Sequence, residues 1–267
     1  MPWGLLGILL GVCAVMCAVG FYKFVYFLSI GYGFAVAGGS VAVLIMALVN
    51  GWCQGPSLIV ALVMTALFIA YGVRLSGFLL VREIKNAAYR KTLKEATGDE
   101  KKMPFFVLFT IWVSVAVLYV AQVSPMLFRY VGGDEDILVP VIGFAVSVFG
   151  LILESVADNQ KSAQKKENPN MVATKGLYKI VRCPNYFGEI LFWTGVFVSS
   201  LDILSGIGQW LTAIISYICI VYIMFNGAQR LEKRQMARYG NDKEYNDYAN
   251  STPIIIPLLP IYHLNKK

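Results

Sequence analysis

Long, nearly uninterrupted apolar runs limit what this chain can fold into. Stretches of roughly 18 or more apolar residues can cross the hydrocarbon of a bilayer as helices. Seven are read here, at about 3–21, 25–49, 57–81, 104–124, 137–156, 187–204 and 209–228. Hydrophobic residues fill 57% of the 267 positions, and mean hydropathy is +0.62. That leaves too little polar surface for a water-soluble domain. The expected fold is all-α and polytopic, with about seven transmembrane helices. The sixth run is the weakest, because Glu189 lies in its first turn and Asp202 near its end. The first lacks a basic leader and a polar cleavage zone, so it reads as a retained span.

The net charge of +7 is informative by location. Basic residues gather at Lys23 and in 82–103, 158–186 and 229–267. The 125–136 connection instead sets Arg129 against Asp134, Glu135 and Asp136. Basic loops face the cytosol. An outside or lumenal N-terminus, seven crossings and a cytosolic C-terminus satisfy every loop. Charge of this kind needs no nucleic acid partner. The five cysteines and the single histidine, His263, lack metal-ligand spacing, so neither a metal site nor a disulfide framework is expected.

Polar chemistry concentrates in the second half. In "VRCPNYFGEILFW", residues 181–193, a polar knot runs straight into an apolar helix. Pro184 suits the first helical turn. Glu189 then serves either as a charge favoured near a helix N-terminus or as part of a ligand rim. Glu154 and Asp158, four residues apart, share one helix face and need compensation. Arg230, Lys233 and Arg234 follow the last span at helical spacing. Arginines and helix N-terminal amides suit phosphates, and carboxylates suit ribose hydroxyls. The inventory fits a nucleotide-like cofactor reached from the cytosol and an apolar substrate arriving through the bilayer. There is no GxGxxG on a strand–helix unit; the glycines of "GYGFAVAGG" read as close helix packing. Arg74 either snorkels or finds a partner within the bundle. The proline-broken stretch 253–261 is too short to span and lies on the membrane surface or against the bundle.

Several motifs occur in order: "YGVRLSGFLLVRE", "ESVADNQK", "GLYKIVRCPNYFGEILFW", "FNGAQRLEKRQ" and "EYNDYANSTPIIIPLLP". Together they resemble the C-terminal region of the steroid 5-alpha-reductase family, and within it the DUF1295 group. The resemblance implies N-terminal transmembrane helices and a cytosolic loop over 1–103. A membrane domain with cytosolic cofactor loops and tail would cover 104–267. It implies a bundle like those of the steroid reductases and isoprenylcysteine methyltransferases, and residence in the endoplasmic reticulum. The implied activity is NADPH-dependent reduction of an activated C=C bond in a lipid or sterol-like substrate. A hydride passes to the electron-poor carbon of an enone-like lipid, and an acid returns a proton. Asp158, Arg182, Asn185, Glu189 and Arg230 carry over as cofactor contacts.

The family's catalytic glutamate–tyrosine pair finds no match in the sequence. Tyr71 and Tyr119 are the catalytic candidates in the membrane region. Cys183 stands where the family motif has histidine. It marks either a changed cofactor or substrate contact or a packing position before Pro184. The motif pattern is also similar to the S-adenosylmethionine-dependent isoprenylcysteine carboxyl methyltransferases. Their paired glutamates are broken here, because Lys233 follows Glu232. A non-enzymatic membrane protein is the third reading.

Overall fold

The computed structural model describes residues 2–85, 90, 103–132 and 136–265. Most of the basic segment 82–103, the acidic pair Asp134 and Glu135, and the terminal Lys266 and Lys267 lie outside the described residues. The regular elements are α1 (Trp3–Cys17), α2 (Ile30–Val49), α3 (Pro56–Lys85), α4 (Phe105–Gly132), α5 (Leu138–Glu167), α6 (Pro184–Val198), α7 (Ile207–Tyr239) and α8 (Lys243–Ser251), with short 3-10 turns between some of them. The protein is an all-α, polytopic membrane protein.

Among the described residues, six helical segments are long and apolar enough to cross a membrane. Seven were expected. The difference is the run at 187–204, which forms the 15-residue α6. At 1.5 Å per residue that helix is about 22 Å long, short of a hydrocarbon layer of about 30 Å. Pro184 fixes its start, and the chain leaves the helix after Val198, ahead of Asp202. Several other helices outrun their apolar stretches. α5 and α7 continue to Glu167 and Tyr239 with polar final turns.

The chain forms two compact units. The first comprises 1–140 with 200–216, and the second 141–199 with 217–267. α4 falls in the first unit.

In the first unit α2 and α3 approach closely at Gly33 and Gly72. A β-carbon on Gly72 would lie 2.2 Å from the Gly33 carbonyl oxygen, so neither position has room for a side chain. Ser76 seals the contact by donating to the Ile30 carbonyl at 2.7 Å. Pro125 lies inside α4 and offers no N–H to the Ala121 carbonyl. The Ser124 hydroxyl donates there instead, at 2.9 Å. Arg129, buried at the end of α4, pairs with Asp202. Arg74 is half-buried, its guanidinium 5.7 Å from the centre of the Phe78 ring.

In the second unit α5 and α6 run antiparallel in near backbone contact. Gly143 meets Gly195 and Ser199; Gly150 meets Gly188 and Phe192; Gly188 meets Glu154. A β-carbon at Gly150 would lie 2.5 Å from the Phe192 nitrogen, and one at Gly195 would lie 2.3 Å from the Gly143 oxygen. Ser147 donates to the Phe192 carbonyl at 2.8 Å along the same seam. Small residues allow such approach where lipid supplies no hydrophobic drive between helices. The seam carries the first turn of α6 to the level of Glu154, where the polar residues begin.

Candidate cofactor site

The polar knot at 182–189 is built from three directions. α5 contributes Glu154, which is buried, and Asp158, half-buried one turn later. The 174–177 turn is fastened to α5 by two glutamines, also one turn apart. Gln164 accepts from the Thr174 and Lys175 amides, both at 3.0 Å, and Gln160 accepts from the Leu177 amide at 2.8 Å. Gly176 sits in that turn at a φ of 68°, close against Gln160. This fastening sets Tyr178 over Ala157 and Ala173 in a small core.

Cys183 occupies the N-cap position of α6, and its side chain lies in a second core. It is 2% exposed and clusters with Ile190, Ala228, Ile254 and Ile255. Its amide donates to the Ile254 carbonyl, and the Arg182 amide to the Pro253 carbonyl, both at 2.8 Å. Burial pushes the Cys183 thiol up to about 11. Of the two readings of this position, the packing one matches its surroundings.

Arg182 is 4% exposed, and its guanidinium is engaged by protein. It donates to Glu232 at 2.9 Å and to the Tyr262 carbonyl. Glu232, 1% exposed, also meets His263 Nδ1 at 2.9 Å and accepts from the amides of Leu264 at 2.8 Å and Asn265 at 3.0 Å. His263 Nε2 meets Asn250 at 2.9 Å. A buried ion pair thus fastens the C-terminal segment to α6 and α7. Sequence reasoning missed this knot. Its signal was a lone acid among Arg230, Lys233 and Arg234 on α7, together with the chain's one histidine.

The remaining knot residues are differently placed. Glu189 is buried and accepts from the Trp193 indole at 3.1 Å, one turn on in the same helix. Asn185 and Tyr186 are half-buried, and no hydrogen bond from either side chain forms among the described residues. The Tyr186 ring packs on Gly227 of α7 at 3.3–3.5 Å from where a β-carbon would stand. Burial pushes its phenol up to about 12; Arg234 and Arg230 pull the other way, and Asp158 adds to the rise. Asp158, Tyr186, Arg230 and Arg234 therefore share one electrostatic neighbourhood. Arg230 and Arg234 are exposed and form no ion pair among the described residues. Tyr248 closes the far side by donating to the Tyr178 carbonyl at 2.7 Å.

Tyr71 and Tyr119 lie in the first unit. Both are fully buried and flank Tyr32. Tyr71 donates to the Tyr32 hydroxyl at 2.9 Å, and Tyr119 donates to the Phe27 carbonyl. The same unit holds a tyrosine–glutamate contact that the sequence did not reveal. Tyr26 donates to Glu83 at 2.9 Å, and Lys23 pairs with the same carboxylate. Burial, then the bond to Glu83, raises the Tyr26 phenol above its ordinary value. The two partners stand 57 residues apart, so no local spacing announces them. Among the described residues no group of acids, cysteines and histidine could hold a metal ion.

Comparison with known proteins gives two findings. The model of a family described as "Protein of unknown function (DUF1295)" matches residues 32–252. A stretch of 121 residues is 31% identical to "Steroid 5-alpha-reductase DET2" of Arabidopsis thaliana. That stretch is 45% of this chain and 41% of the relative, so the chain spans under half of the length of the curated relative it matches. No solved structure matches. The family match covers most of the chain, and this all-α membrane protein belongs to the DUF1295 family, with a family-level link to steroid-reductase-like membrane enzymes.

Proposed function

We propose that the protein is a membrane-embedded reductase that uses NADPH to saturate an activated C=C bond of a lipid or sterol-like substrate. One observation carries this reading. Among the described residues, the side chains of Asn185, Tyr186, Arg230 and Arg234 form no hydrogen bond or ion pair, and Tyr186 shares its electrostatic surroundings with Asp158, Arg230 and Arg234, while neighbouring Arg182 and Glu232 are consumed by the fold.

The residues fit the cofactor by donor chemistry. Arg230 and Arg234 suit phosphate oxygens, Asp158 suits ribose hydroxyls, and Asn185 offers an amide to the nicotinamide carboxamide. Glu189, buried in the same helix as Asn185, is a further cofactor-contact candidate. Arg182 acts from behind, holding the tail and the α6 start in place. When bound, NADPH supplies a hydride to the electron-poor carbon of the substrate. The protein must then supply a proton. Tyr71 and Tyr119 are the donor candidates taken from the sequence. The partial likeness to a steroid 5-alpha-reductase supports the reading. An endoplasmic reticulum location belongs to the same proposal.

The methyltransferase alternative would call on the tail glutamate to hold a sulfonium cofactor. Here the Glu232 carboxylate already serves Arg182, His263, Leu264 and Asn265. A cofactor titration on the purified protein decides the matter. NADPH should bind with micromolar affinity. S-adenosylmethionine binding without NADPH binding would reverse the assignment, and binding of neither would favour a non-enzymatic membrane protein.

A further inference from the structure

The segment from Pro253 to Ile261 has a buried half and an exposed half. Ile254 and Ile255 are 2% and 1% exposed and pack beside Val221, Met224 and Phe225 of α7. Those residues end the apolar part of α7; Arg230, Lys233 and Arg234 follow and are exposed. The segment is therefore anchored at the boundary between the apolar and basic parts of that helix.

Its other half turns outward. Leu258 is 97% exposed, Leu259 44% and Ile261 36%. Leu258 also holds a φ of 69°, the left-handed region where a β-carbon is strained and glycine is at ease. A turn facing water would favour glycine or asparagine there. Pro257 and Pro260 carry no N–H, and the Ile261 amide donates to the Leu259 carbonyl at 2.7 Å. The tip thus exposes large apolar side chains with few backbone donors left to hydrate, which lipid favours and water does not.

We infer that the Pro257–Ile261 tip is a lipid-inserting wedge. Leu258, Leu259 and Ile261 enter the upper acyl region of the leaflet beside the end of α7 and hold the C-terminal segment to the membrane. The bilayer is the partner because α7 already turns Ile218 and Tyr222, 58% and 68% exposed, outward just before the level where the segment packs. Lys233 beyond is exposed and suits anionic headgroups. The wedge does not depend on the reductase reading.

The test is depth-resolved quenching in phosphatidylcholine–phosphatidylserine nanodiscs. Leu258→Cys and Leu259→Cys are made separately with Cys219→Ala, since Cys219 is the one described cysteine that is not buried. Each is labelled with bimane. A nitroxide on the upper acyl chain should remove more than half of the fluorescence at both positions, and aqueous iodide should remove little. Lys243→Cys, at an exposed position at the start of α8, should show the reverse. Iodide-dominated quenching at 258 and 259 overturns the proposal, and so does protection from both quenchers, which would mean a protein partner covers the tip.

Discussion

Cys183 stands where the resembling family motif has histidine, and its neighbours explain why a thiol is at home there. Ile190, Ala228, Ile254 and Ile255 offer nothing to a ring with two polar nitrogens. Because burial raises the thiol from its ordinary 9.0 to about 11, the folded state holds that proton more tightly than the unfolded chain does. The resulting stability is complete below about pH 9 and is lost as pH rises toward about 11. It is on the order of 2–3 kcal/mol. Thermal unfolding in detergent across that range should fall more steeply for the native protein than for Cys183→Ala, and parallel profiles would refute the assignment. Arg182 gives a second residue-scale prediction. Glu232→Gln leaves its guanidinium buried against a neutral amide, which should cost about 3–5 kcal/mol. Limited proteolysis should then cut the segment after Tyr239 sooner, without added protease sites in α5.

At the scale of elements, the α5–α6 seam has little room to give. An alanine at Gly150 places its β-carbon 2.5 Å from backbone, so the helices must separate. The expected loss is about 1–3 kcal/mol, read as a lower unfolding temperature. Gly7→Ala, in α1 with nothing within 4 Å of its β-carbon, should instead be neutral or stabilise by about 0.5–1 kcal/mol. An equal response at the two glycines would mean the seam is not a close contact. The same tightness brings the start of α6 against α5 at Glu154, and Tyr186 shares its electrostatic surroundings with Asp158.

At the scale of the whole molecule, cofactor binding and topology are the testable consequences. Arg230→Ala should weaken NADPH binding about 10–100-fold, as loss of a charge-assisted contact. Asn185→Ala should weaken it about fivefold. Isothermal titration of the two variants against native protein checks both, and unchanged affinity in both removes the site from consideration. We propose the orientation with an outside N-terminus and a cytosolic C-terminus. It predicts that Gly132→Cys and Lys179→Cys, both exposed, react with an impermeant maleimide from opposite sides of the membrane. Labelling from one side would refute it.

The sequence alone determined the class of fold, because long apolar runs have few ways to satisfy their backbone outside a helix in lipid. It also located the polar knot, because "VRCPNYFGEILFW" is dense in donors where a helix begins. Only the tertiary structure decided which of those donors belong to the fold. Arg182 and Glu232 lie 50 residues apart, and Tyr26 and Glu83 lie 57 apart. Local spacing carries no record of such pairings. Six long spans stand where seven were read, because hydropathy sums composition over a window and does not register that Pro184 and Ser199 bound a helix of only 15 residues. The tertiary structure likewise divided 253–261, burying Ile254 and Ile255 and turning Leu258 outward, since burial depends on what the rest of the chain brings alongside.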